Sequence, residues 1–80
     1  MNKRITQWTK EASKLLLNKT IVDVRYMTDE EQSMMHWDFK PVVLILDDGT
    51  AIYPSSDDEG NYAGALFTNN ENLPVIPVIY

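Results

Sequence analysis

The chain predicts an α+β fold: an N-terminal amphipathic helix packed on a curved antiparallel sheet of four to five strands. Three observations point there. Apolar residues recur at helical spacing near the start, and runs rich in β-branched and aromatic residues follow. The connections between those runs are too short for parallel crossovers, which need a dozen or more residues at each step. A partly open barrel of the SH3-like or Sm-like kind is the geometric alternative.

The helix rests on Ile5, Trp8, Ala12, Leu15 and Leu16, which fall within about 100° of one another on a wheel of 3.6 residues per turn. Lys3, Lys10 and Lys14 cluster almost opposite. Asn2 is positioned to cap the start, and Asn18-Lys19 suits the end, where a cation meets the carbonyl pole. Thr20 to Tyr26 then reads as a first strand, with Val22, Val24 and Tyr26 on one face and Ile21, Asp23 and Arg25 on the other. Thr28-Asp-Glu-Glu31 has the form of a capping box, so a short helical turn through Met34 or Met35 should follow.

Pro41 to Leu46 is apolar on both faces and predicts the most buried strand, and Asp47-Asp-Gly49 supplies a tight hairpin turn. Thr50 to Tyr53 returns beside it until Pro54 ends the strand. Ser55 to Asn61 has a turn or loop composition, and Ala65 to Phe67 predicts a further short strand. Pro74 to Ile79 looks extended, and its prolines, lacking amide donors, place it at a sheet edge. No repeat or long linker divides the chain, so residues 1–80 read as a single domain.

At 80 residues and 44% hydrophobic, with two Trp and four Tyr, the chain can bury one modest core without a disulfide. It has no cysteine, which excludes thiolate chemistry and a Cys-based zinc site and suits a reducing compartment. The first residues lack the apolar run of a secretory signal and no stretch is long enough to span a bilayer, so a cytoplasmic location without membrane attachment is expected. A formal net charge of −5 offers little general affinity for nucleic acid. That charge is unevenly spread. Lys3, Arg4, Lys10, Lys14, Lys19 and Arg25 precede position 29 with only Glu11 and Asp23 against them, whereas ten acids follow against Lys40 alone.

The densest candidate for chemistry is Asp57-Asp58-Glu59-Gly60-Asn61, to which Asp47 and Asp48 of the hairpin turn could be added in space. Hard cations want several oxygen ligands, and neighbouring carboxylates beside a sharp glycine turn can supply them. The spacing departs from the twelve-residue calcium loop, and a solvated acidic turn is the ordinary reading. His36 is the sole histidine, and no nucleophile-elbow spacing joins it to Ser33, Ser55 or Ser56. Met34-Met35-His36-Trp37 ordinarily fills core gaps or stands as a contact patch. Gly60 and Gly64 lack the basic ending of a phosphate loop, and Pro74-Val-Ile-Pro77 reads as an edge strand before it reads as a proline-rich ligand.

The stretch from Leu46-Asp-Asp-Gly-Thr50 through Ile52-Tyr-Pro-Ser-Ser-Asp-Asp-Glu-Gly-Asn61 to Gly64-Ala-Leu-Phe67 resembles a family of small uncharacterised bacterial proteins. Those proteins also look alike in a leading helix and a strand like Lys19 to Arg25, so the resemblance covers most of the chain. It implies a bacterial domain of unknown function and assigns no activity, cofactor or site residue. A second similarity, confined to a helix followed by an alternating strand, is to Sm-like domains, whose RNA role the acidic body does not suit.

The function expected on these grounds is a non-enzymatic protein-interaction module, a homodimer or a binder of another protein, working through an edge strand or exposed aromatic and acidic loops. The alternative is a divalent-metal-binding regulator or metal-dependent hydrolase built on Asp47, Asp48, Asp57, Asp58 and Glu59. A third option is an acidic mimic of nucleic acid that blocks a basic protein. No cofactor is expected.

Overall fold

A computed structural model describes residues 3–55 and 64–79. Its order is α1 (Lys3–Leu16), β1 (Ile21–Tyr26), α2 (Asp29–Met35), β2 (Val42–Leu46), β3 (Ala51–Pro54), β4 (Leu66–Thr68) and β5 (Val75–Ile76). The strands form one antiparallel sheet in the order β1-β2-β3-β4-β5, each paired with its chain neighbour. The sheet is not closed, with β1 and β5 as its edges.

α1 follows its apolar stripe: Leu15 is buried and Trp8, Ala12 and Leu16 are half-buried, while Ile5 at the first turn stays exposed. Asn18 ends the helix in the left-handed region at φ 63, a conformation Asn accepts more readily than most residues. The expected cap at Asn2 lies outside the described residues. Beyond the helix, the Asp47 amide donates to the Thr20 carbonyl at 2.8 Å and Lys19 Nζ pairs with Asp48 Oδ2 at 2.8 Å. These two contacts pin the α1–β1 junction to the β2–β3 turn.

That turn is a three-residue hairpin loop. Gly49 N–H donates to the Leu46 carbonyl at 2.9 Å, and Gly49 takes φ 88 so that Leu46 N–H can meet the Thr50 carbonyl at 2.8 Å. Asn69 secures it from the next loop, accepting from Ala51 N–H at 2.8 Å and donating to the Gly49 carbonyl at 3.1 Å.

Register sorts the side chains. Asp23, Arg25, Val43, Ile45, Ala51, Tyr53 and Phe67 share one face; Val24, Tyr26, Leu44, Leu46, Ile52 and Leu66 share the other. α2 attends the first face. Its capping box forms as read from Thr28 and Glu31, and at its far end His36 turns left-handed at φ 59 while Trp37 N–H reaches back to the Gln32 carbonyl at 3.3 Å. This ending delivers Trp37 to the sheet, where its ring stacks on Phe67 at 5.9 Å and meets Tyr53 edge-on at 6.1 Å. Val43, 2% exposed, is the second residue of β2, and Leu46, 5% exposed, is its last. β2 is therefore the most buried strand, as its two-sided apolar sequence predicts.

One detail differs from the sequence reading. Ile21 pairs with Leu46 and Asp23 with Ile45, so Val22 is an extra residue, a bulge that breaks strict alternation at the start of β1. Pro54 ends β3 as its last residue, opposite Leu66. The β2–β3 pairing extends only over Ala51 and Ile52, so no β2 carbonyl awaits the missing proline donor.

Candidate interaction surface

Of the nine large apolar side chains exposed among the described residues, four lie on one strand, and Ile5, Leu17, Met34, Phe39 and Val75 are spread over the rest of the fold. Along β1, Ile21 is 52%, Val22 61%, Val24 59% and Tyr26 67% exposed. β-branched and aromatic residues favour a strand because a pleated sheet gives them neighbours on both sides. Here β2 supplies a neighbour on one side only, since β1 is an edge.

The backbone of that edge has a definite parity. Met27 N–H donates to the Pro41 carbonyl at 3.0 Å, which fixes the parity of the ladder: Asp23 and Arg25 bond towards β2, and Val24 and Tyr26 turn their amides and carbonyls outward. Two of the outward groups are met by adjacent charged side chains. Asp23 Oδ1 accepts from Val24 N–H at 2.9 Å, and Arg25 Nη1 donates to the Tyr26 carbonyl at 3.1 Å. Charged residues are a common means of protecting a strand edge from chance pairing, and here they satisfy the edge directly.

Arg25 joins this edge to α2. Its Nη1 and Nη2 hold the two oxygens of Glu31 at 2.8 and 3.0 Å, a bidentate pair, while Glu31 Oε1 also accepts from Thr28 N–H at 2.9 Å. The guanidinium, and after it the Thr28 amide, hold the Glu31 carboxyl down at about 2. The same pairing raises Arg25 above its ordinary value. Beside the pair lies an open hollow of about 290 Å³, with Met27, Met34 and Met35 facing Val43, Ile45 and Tyr53. Its wall is apolar and its charged rim is occupied by the Arg25–Glu31 pair.

Of the five acidic residues singled out from sequence, Asp47 and Asp48 lie among the described residues. Both are exposed, and Asp48 is engaged in the fold: Oδ2 takes Lys19 and Oδ1 accepts from Thr50 N–H at 3.0 Å. Lys19 first, then the Thr50 amide, hold Asp48 well below the usual carboxylate range. Asp57, Asp58 and Glu59 lie outside the described residues. Among the described residues no three His, Cys, Asp or Glu side chains stand together around a common point. Lys40 pairs with Asp29 in the first turn of α2 and lowers that carboxyl too.

The exposed strand escapes a reading that looks for edges only where proline sits. The available signal was topological: the first strand of an unclosed meander is always an edge, and Ile21 to Tyr26 is its most apolar-rich opening. No helix among the described residues is long and apolar enough to cross a membrane. No protein-family model, curated protein or solved structure matches the chain.

Proposed function

We propose that the protein is a non-enzymatic interaction module that binds another protein chain through β1, acting in the cytoplasm of a bacterium. The observation that carries this reading is that exposed Ile21, Val22, Val24 and Tyr26 lie together on a strand with no neighbouring strand on its outer side. Bacterial origin is supported by the resemblance of the Leu46 to Phe67 stretch, and a reducing compartment by the cysteine-free composition. An edge strand with alternating apolar side chains binds by adding a strand, where main-chain hydrogen bonds hold the partner and side chains select it.

The test compares wild type with a V22E/Y26E variant, by sedimentation across a wide concentration range and by capture from bacterial lysate. Association with a second copy or retention of a lysate protein by wild type, lost in the variant, supports the reading. Neither behaviour in wild type, or both unchanged in the variant, overturns it.

A further inference from the structure

Resting on that reading, we propose that the strand β1 accepts is β1 of a second copy, paired antiparallel about a twofold axis through Val24. The argument is one of register and charge. With Val24 opposite the partner's Val24, Asp23 falls opposite the partner's Arg25 and Arg25 opposite the partner's Asp23, on the face that carries both charges in the monomer. On the other face Val24 meets the partner's Val24, and Tyr26 comes beside the partner's bulged Val22, so exposed apolar side chains lie against one another. Moving the axis to Tyr26 sets Arg25 against the partner's Met27, and moving it to Val22 sets Asp23 against the partner's Ile21. Only the Val24 axis makes the strand complementary to itself.

The hydrogen-bonding groups are already in position. Val24 and Tyr26 are the residues whose backbone faces outward, and a twofold axis at Val24 makes Val24 and its copy a hydrogen-bonded pair. On pairing, Val24 N–H exchanges Asp23 Oδ1 for the carbonyl of the partner's Val24, and Asp23 is released to face a guanidinium. Arg25 can receive it without leaving α2. Both Nη1 hydrogens go to Glu31 and the Tyr26 carbonyl and one Nη2 hydrogen goes to Glu31, which leaves the second Nη2 hydrogen and Nε–H as donors. Because several edge bonds are exchanged for others, the association is driven by burial of Val22, Val24 and Tyr26 and is reversible.

The experiment is sedimentation equilibrium of the full chain from low to high micromolar concentration, with amide hydrogen exchange followed over the same range. The expected result is a reversible approach to twice the 9.2 kDa chain mass. The Tyr26 amide, which points outward in the monomer, should slow as concentration rises. D23K sets like charges opposite each other at both ends of the pairing and should weaken the dimer roughly tenfold, the scale of two reversed cross-strand charge pairs. A strict monomer throughout, or a dimer in which D23K and Tyr26 exchange show no effect, overturns the pairing. The exchange measurement needs no variant, so a D23K chain that failed to fold would not shield the proposal. A monomer that still retains a lysate protein lost in V22E/Y26E would remove the self-pairing and leave the interaction reading standing.

Discussion

The two strands of the β1–β2 pairing contrast sharply. Val43, in β2, lies beneath α2 at 2% exposure, while Val24, one strand over on the opposite face, stands 59% exposed. Both are valines in antiparallel strands of one sheet, so residue type and local propensity do not separate them. Position does: β2 has strands on both sides and α2 over Val43, and β1 has a strand on one side only. The same side chain thus serves cohesion at one site and is available for contact at the other.

That contrast can be broken hardest at Leu46, which is 5% exposed and anchors both β1 register and the β2–β3 turn. Leu46→Ala should lower unfolding free energy by about 3 kcal/mol, read from urea melts. Trp37→Ala, which removes the ring between Tyr53 and Phe67, should follow at about 2 kcal/mol because the indole is only half-buried.

Thr28→Ala should cost about 1 kcal/mol by leaving the α2 amides uncapped. The partner carboxyl of the cap gives it a pH signature. Glu31 has its folded value near 2 against an ordinary 4.5, so its contribution is complete above 4.5 and is lost as pH falls towards 2. Melting temperature should therefore drop through that window, and Glu31→Gln should flatten the drop. Asp29 and Asp48, also lowered, act in the same direction. At the bare edge, Val24→Thr keeps the β-branch and should change monomer stability by no more than about 0.5 kcal/mol, while weakening association. An effect on folding as large as that of Leu46→Ala would erase the distinction between the two regions.

Local chemistry was legible and tertiary chemistry was not. Thr28 and Glu31 are three residues apart, and Asp47-Asp-Gly49 closes on itself, so each carries its own instructions. α1 was visible in its stripe and β5 in its prolines for the same reason. By contrast, the sequence does not show that Lys19, twenty-nine positions away, bonds an oxygen of Asp48. The Val22 bulge arises where β1 must match β2, and period-two alternation cannot reveal it. Arg25 reads as a solvated strand residue until α2 folds back and brings Glu31 to it.

The second edge of the sheet carries a consequence for growth. β5 has two residues flanked by Pro74 and Pro77, and its neighbourhood cannot offer the run of amide donors that another strand would need. A sheet with one edge able to join and the other terminated by proline can be extended only once. Joining through a twofold axis consumes the free edge of both copies, so assembly closes at two and does not propagate into a fibre.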